Sequence, residues 1–174
     1  MIVAPVGSNG LPRRKGSKPR TFRGPPHLQT TGHGDPKYLN QLIDEVLAWP
    51  QVESTLSVAD HRRTISIRLK KMAAAGDPSA FITGTEFARV LLETPTIYLA
   101  LPFESAHWAM FRGWAEPHYL QSYGMMSVST LVVYTPRDKK ELDVCYFLFS
   151  QSYRFACKLV PQQTIENFQF KEPR

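Results

Sequence analysis

Apolar positions along the chain follow two different spacings, and the alternation between them predicts an α+β fold. Three segments carry apolar side chains every three or four residues, as in helices that bury one face: 35–50, 104–112 and 135–158. Five shorter segments are rich in β-branched and aromatic residues, which predicts strands: 52–58, 64–69, 87–92, 96–101 and 129–134. We expect an antiparallel sheet of about five or six strands, packed against an N-terminal helix and a long C-terminal helix.

The strand over 64–69 indicates how that sheet is exposed. Thr64, Ser66 and Arg68 alternate with apolar residues, so one face of the sheet should meet water. A mixed sheet that uses the helix over 104–112 as a crossover stays open as an alternative.

Capping residues predict where the two long helices begin. Asp35 precedes Pro36 and Thr135 precedes Pro136, so in each case a polar side chain can cap the helix and proline fits its first turn. The last helix, to about residue 158, has a broad apolar surface. A surface this broad predicts that the helix packs against other parts of the protein on two sides, and one of these contacts could be with a second subunit in a homodimer.

Composition divides the chain into three parts. Residues 1–34 hold six lysines and arginines, no acidic residue, five prolines and six glycines. This composition predicts a basic, disordered tail, followed by one α+β domain over 35–160 and a C-terminal tail over 161–174. The net charge of +6 lies in the first tail. A solvated leader and a nucleic-acid or membrane-surface contact are both compatible with that tail.

Several classes of protein are disfavoured by the sequence. Phe22 is the one aromatic residue within the basic run. A surface that stacks nucleic-acid bases needs several aromatic side chains, so this composition argues against nucleic-acid binding. No apolar run approaches the roughly 20 residues of a membrane helix. The apolar segment at the start of the sequence is too short for a signal peptide, so we expect a cytoplasmic protein. Phosphate-loop, dinucleotide, zinc-ligand and nucleophile-elbow motifs are absent, and we expect no cofactor and no metal.

Three stretches resemble the small luciferase domain family of fungi and bacteria: GTEFARVLLETPTIYLALP, RGWAEPHYL and LVVYTPRDKKELDVCYFLFSQSY. The resemblance spans about 29–159. The family pattern implies three histidines on two strands and a Gly-Trp-x-Glu-x-His turn. This chain has Arg89, Leu91 and Tyr98 in place of those histidines and keeps Glu116 and His118. The resemblance therefore implies an α+β domain without the family's histidine cluster, and a more apolar site.

The candidate catalytic residues are His118, Tyr98 and Glu116. Glu116 and His118 are two positions apart in an extended segment and should share one side, where the carboxylate would raise the pKa of the imidazole. His118 would then act as an acid, a base or an oriented donor, and Tyr98 would donate to a carbonyl. Purely structural roles for both stay open. The candidate substrate-binding residues are Trp114, Tyr123, Arg89, Met110, Met125 and Phe87.

These residues predict an apolar hollow between the sheet and residues 114–123, with His118 at its wall. The hypothesis we favour is a cofactor-independent enzyme that folds an apolar small molecule into a reactive shape. It would be an isomerase, a cyclase or a pericyclase such as a Diels-Alderase of fungal secondary metabolism. A non-catalytic module for lipophilic ligands and an interaction module with a basic tail are the alternatives.

Overall fold

The structure is a computed structural model, and it describes residues 2–3, 10–59, 62–159 and 169–170. In chain order the elements are β1 (Ile2–Val3), β2 (Thr21–Arg23), β3 (His27–Gln29), α1 (Pro36–Leu47), β4 (Val52–Ala59), β5 (Arg62–Leu69), β6 (Glu86–Leu91), β7 (Thr96–Ala100), α2 (Phe103–Phe111), β8 (Ala115–Pro117), β9 (Thr130–Val133), α3 (Lys139–Ala156) and β10 (Gln169–Phe170). None of the helices within these residues is long and apolar enough to cross a membrane.

A six-stranded sheet in the order β4-β5-β6-β7-β9-β8 forms the centre of the fold. All of its pairings are antiparallel, which confirms the predicted α+β class and removes the mixed-sheet alternative. Two short pairs accompany it, β2 with β3 and β1 with β10.

The pairing register gives the sheet one apolar face and one polar face, because side chains of directly paired residues point the same way. One row across five neighbouring strands is apolar and runs Ile65, Val90, Ile97, Val133, Ala115. These residues pack with α1 and α3 in the main core. The adjacent row crosses all six strands and runs Thr55, Ser66, Arg89, Tyr98, Val132, Glu116.

One of the two predicted helix starts is confirmed and the other is wrong. The Asp35 side chain accepts the N–H of Lys37 and caps α1, with Pro36 as its first residue. The cap of α3 is Asp138, which accepts the N–H of Glu141, and not Thr135. Thr135 lies outside the helix because both its N–H and its hydroxyl bond the side chain of Gln29 in β3.

The predicted solvated leader is corrected for residues 10–34, which fold onto the domain. The strands β2 and β3 form a hairpin around Gly24-Pro25-Pro26, and the Pro25–Pro26 peptide is cis. Three of the basic side chains have acidic partners in the domain: Arg14 with Glu141, and Lys18 and Arg23 with Glu116. Residues 1 and 4–9 lie outside the described residues, as does the predicted C-terminal tail apart from β10.

Candidate functional site

The polar face of the sheet is divided between a covered half and an open half. The β2–β3 hairpin covers the half formed by β7, β9 and β8, where Gln29 N–H bonds Thr96 and the Tyr98 hydroxyl bonds the His27 carbonyl. The other half, formed by β4, β5 and β6, is the floor of a cleft of about 530 Å³. The hairpin turn at Pro25-Pro26 and residues 118–120 form its opposite wall.

A β-bulge in β6 brings a carboxylate into this cleft. Ile67 pairs with Ala88 but the next residue, Arg68, pairs with Glu86, so Phe87 is an extra residue in β6. As a result Phe87 turns to the helix side, where its ring meets Tyr153 of α3. Phe87 is therefore a core residue and does not contact the cleft, contrary to its predicted role in binding.

Glu86 and Arg89 form a bidentate ion pair on the cleft floor. The Arg89 Nε and Nη2 atoms each donate to a Glu86 oxygen at 2.7 Å, and Glu86 is buried. The bond to Glu86 raises the pKa of Arg89, although burial opposes it. Arg89 was predicted at the binding site, and the structure places it on the cleft with this partner.

Glu116 anchors the hairpin and does not line the cleft. Its Oε1 accepts from His27 Nε2 at 2.8 Å and from the Thr21 hydroxyl at 2.7 Å, and its Oε2 accepts from the Tyr134 hydroxyl at 2.8 Å. Burial alone would raise the pKa of Glu116. The hydrogen bonds from His27, Thr21, Tyr134 and Lys18 together hold it well below its ordinary range. The carboxylate is thus ionised, with its oxygens occupied by donors.

His27 is a functional neighbour that sequence reasoning missed, because it lies in the segment predicted as a tail. It is fully buried, and its Nδ1 accepts the N–H of Tyr119 at 3.1 Å. A backbone N–H can only donate, so the His27 proton is on Nε2 and points to Glu116. The sequence signal for this hairpin is a pair of short segments, Thr21–Arg23 and His27–Gln29, in which polar and apolar residues alternate on either side of a Gly-Pro-Pro turn.

His118 lies on the cleft wall as a neutral hydrogen-bond donor. Its Nδ1 accepts the N–H of Leu120 at 3.3 Å, which leaves its proton on Nε2. That Nε2–H has no hydrogen-bond partner among the described residues, and the side chain lines the cleft. Burial first, then the nearby His27 and Arg89, lower the pKa of His118 from its ordinary value near 6.5 to about 4. The expectation that Glu116 raises this pKa is wrong, since Glu116 bonds His27 instead.

Tyr98 supports His118 with its ring and holds the hairpin with its hydroxyl. The two rings meet edge to face, with centroids 4.6 Å apart. The hydroxyl donates to the His27 carbonyl at 2.7 Å, and burial raises the pKa of Tyr98 to about 12. The hydroxyl is committed to the protein, so it is a poor candidate for donation to a substrate.

Replacing Tyr98 with phenylalanine should lower the free energy of unfolding by about 1 to 2 kcal/mol, because the buried His27 carbonyl loses its donor. Urea unfolding at pH 7 measures this difference. Tyr123→Phe is the matched control, since that side chain is 72% exposed and should show no change. Equal stability of the two variants would mean that the Tyr98 hydroxyl does not hold the hairpin.

Four other predicted binding residues lie away from the cleft. Trp114 is buried in the helix-side core and donates from Nε1 to the Pro12 carbonyl, so it forms no part of the cleft wall. Met110 is part of α2 and partly exposed, and Tyr123 and Met125 are exposed in the loop after β8. None of the four lines the cleft, and the apolar contribution of that loop comes from Leu120 and Met126.

No group of three His, Cys, Asp or Glu side chains within the described residues is arranged to hold a metal ion. Cys145 and Cys157 are both free thiols, and burial raises the pKa of each.

No protein-family model, curated protein or solved structure matches this chain. The resemblance to the luciferase domain family therefore stays a prediction from the three stretches that suggested it.

Proposed function

We propose that this protein is a cofactor-independent isomerase or cyclase that binds a small carbonyl compound in the cleft and polarises its carbonyl group with His118. One observation supports this most strongly: a neutral imidazole presents an Nε2–H to the cleft, and that donor has no partner among the described residues. A donor fixed in this way can donate a hydrogen bond to a substrate oxygen without first breaking a protein contact.

The chemistry follows from the protonation state of His118. A pKa of about 4 keeps the ring neutral near pH 7, so it donates a hydrogen bond and does not act as a cationic acid. A hydrogen bond to the oxygen of a conjugated carbonyl stabilises negative charge that develops there during double-bond migration or ring closure. Such a reaction rearranges bonds within one substrate, with no atom or electron exchanged, and therefore needs no oxidant or group donor.

The volume and the lining of the cleft also suit a small-molecule substrate. Its volume of about 530 Å³ is that of a small-molecule site. Leu91, Leu120 and Met126 contribute apolar surface to the lining, and Thr55, Ser57 and Thr64 contribute hydroxyls. The lining favours an amphipathic substrate over the purely apolar one expected from sequence. Holding such a molecule in a folded conformation would contribute to the rate through orientation.

Replacing His118 with alanine should reduce turnover by about 100- to 1,000-fold, the usual effect of removing one donor to a developing oxyanion. A panel of amphipathic conjugated polyene ketones serves as substrate, and loss of their ultraviolet absorbance gives the rate. His107→Ala is the matched control, because His107 is exposed on α2 and away from the cleft. Turnover by His118→Ala at the wild-type rate would overturn the proposal. So would a panel on which the wild-type protein does no better than buffer.

The second candidate is a binding module without catalysis. The observation in its favour is that the Glu116 carboxylate and the Tyr98 hydroxyl, the two groups predicted to act with His118, are both committed to internal hydrogen bonds. This alternative predicts saturable binding of the same ketones by the wild-type protein with no change in their absorbance over time.

A further inference from the structure

We infer that the cleft has an anion-binding end at Arg68, and that its ligand is a small amphipathic carboxylic acid. The inference deepens the proposed function. It rests on that function only for the position of the ligand's carbonyl group, since the anion site is argued from Arg68 and its neighbours alone.

The charge on the cleft floor is unbalanced. Among the residues that the structure describes, three arginines line it, Arg62, Arg68 and Arg89, together with one carboxylate, Glu86. Both oxygens of Glu86 are bonded to Arg89 at 2.7 Å, in a geometry that occupies the carboxylate. Among the described residues no carboxylate lies within ion-pair distance of Arg68, although Arg68 pairs directly with Glu53 of β4 and with Glu86 of β6 across the strands.

The Arg68 guanidinium has unused donors inside the protein. Its Nη2 donates to the Ser66 hydroxyl at 3.1 Å, and its Nε is buried without a hydrogen-bond partner. A buried guanidinium N–H that loses water without gaining an acceptor is costly. A carboxylate can accept two parallel hydrogen bonds from a guanidinium, so it would bind the Arg68 side chain better than a neutral ligand.

The sheet geometry sets the length of the ligand. Arg68 is on β5 and Tyr98, which contacts the His118 ring, is on β7, two strands away. Adjacent strands are about 4.8 Å apart, and Arg68 is two residues along β5 from Ser66, which lies in the same cross-strand row as Tyr98. The two positions are therefore separated by roughly 12 Å. Leu91 and Leu120 line the same cleft as Arg68 and His118. A ligand with its carboxylate at Arg68 and its carbonyl at His118 would therefore carry an apolar chain that spans this distance between them.

Calorimetric titration of decanoate and of decanol tests the anion site with one chain length and two head groups. We expect the wild-type protein to bind decanoate at least about tenfold more tightly than decanol, because hydrogen bonds to a charged group are the stronger kind. Arg68→Met should remove that preference and leave decanol binding unchanged. Arg13→Met, which removes an exposed arginine outside the cleft, should keep the preference.

Equal binding of decanoate and decanol by the wild-type protein would overturn the inference, and this comparison does not depend on the folding of any variant. An undiminished decanoate preference in Arg68→Met would overturn it as well. A decanoate preference without turnover of any ketone would refute the catalytic proposal alone. Turnover of neutral ketones without a decanoate preference would refute the anion site alone.

Discussion

Replacing Glu116 with alanine should lower the free energy of unfolding by about 3 to 5 kcal/mol, the usual cost of removing one partner from a buried charged network. The carboxylate accepts from His27, Thr21 and Tyr134, and the first and last of these donors are buried. Without it, each of them loses its acceptor. Urea unfolding at pH 7 measures the loss.

Two further substitutions separate the charge from the shape of that side chain. Glu116→Gln keeps the size and one acceptor oxygen but faces its neighbours with an amide, so it should fall between alanine and wild type. Glu53→Ala removes an exposed carboxylate on β4 and should change stability little. A loss below about 1 kcal/mol for Glu116→Ala would show that this carboxylate does not hold the hairpin on the sheet.

The stability of the protein should also fall as the pH is lowered from about 6.5 to about 4, because His118 stays neutral in the folded state. Over that range His118 binds a proton in the unfolded chain but not in the folded protein, so lowering the pH favours unfolding. The contribution of His118 to stability is fully present above the pKa that the imidazole has in the unfolded chain. It is lost as the pH falls towards the lower pKa of His118 in the folded protein. A shift of this size corresponds to about 3 kcal/mol.

The matching measurement is the free energy of unfolding at several pH values for the wild type and for His118→Gln. The difference between the two proteins should change by about 3 kcal/mol between pH 6.5 and 4. His107→Gln, an exposed imidazole on α2, should leave the wild-type slope intact. Parallel curves for wild type and His118→Gln would mean that the folded protein protonates His118 normally.

The central sheet and its helices could be predicted from local patterns, whereas the hairpin could not. The strands β5, β6, β7 and β9 each have an apolar side in the core that includes α1 and α3, so the spacing of apolar residues along the chain is enough to predict them. Residues 10–34 look disordered because proline, glycine and positive charge dominate them. Their folding depends on Glu116 and Glu141, which lie about a hundred residues further along the chain. No local pattern reports such a pairing.

The candidate site was predictable only where strand alternation applies. Arg89 and Tyr98 lie on the cleft side of the sheet, as alternation along β6 and β7 requires. Phe87 lies on the other side because a β-bulge reverses the alternation, and bulges have no reliable sequence signal. The predicted apolar hollow is partly polar for a related reason: Thr64, Ser66 and Arg68, whose alternation predicts a polar face, form part of its floor.

The most direct test of the account is the imidazole ¹⁵N–¹H correlation spectrum of His118 at pH 7, recorded with and without 9-oxodecanoate. This acid carries a carboxylate and a ketone near the two ends of an apolar chain. The account predicts a neutral ring with its proton on Nε2, and a shift of that N–H signal when the ligand saturates the cleft. An imidazolium at pH 7, a proton on Nδ1, or an unmoved signal while the ligand is bound would contradict it.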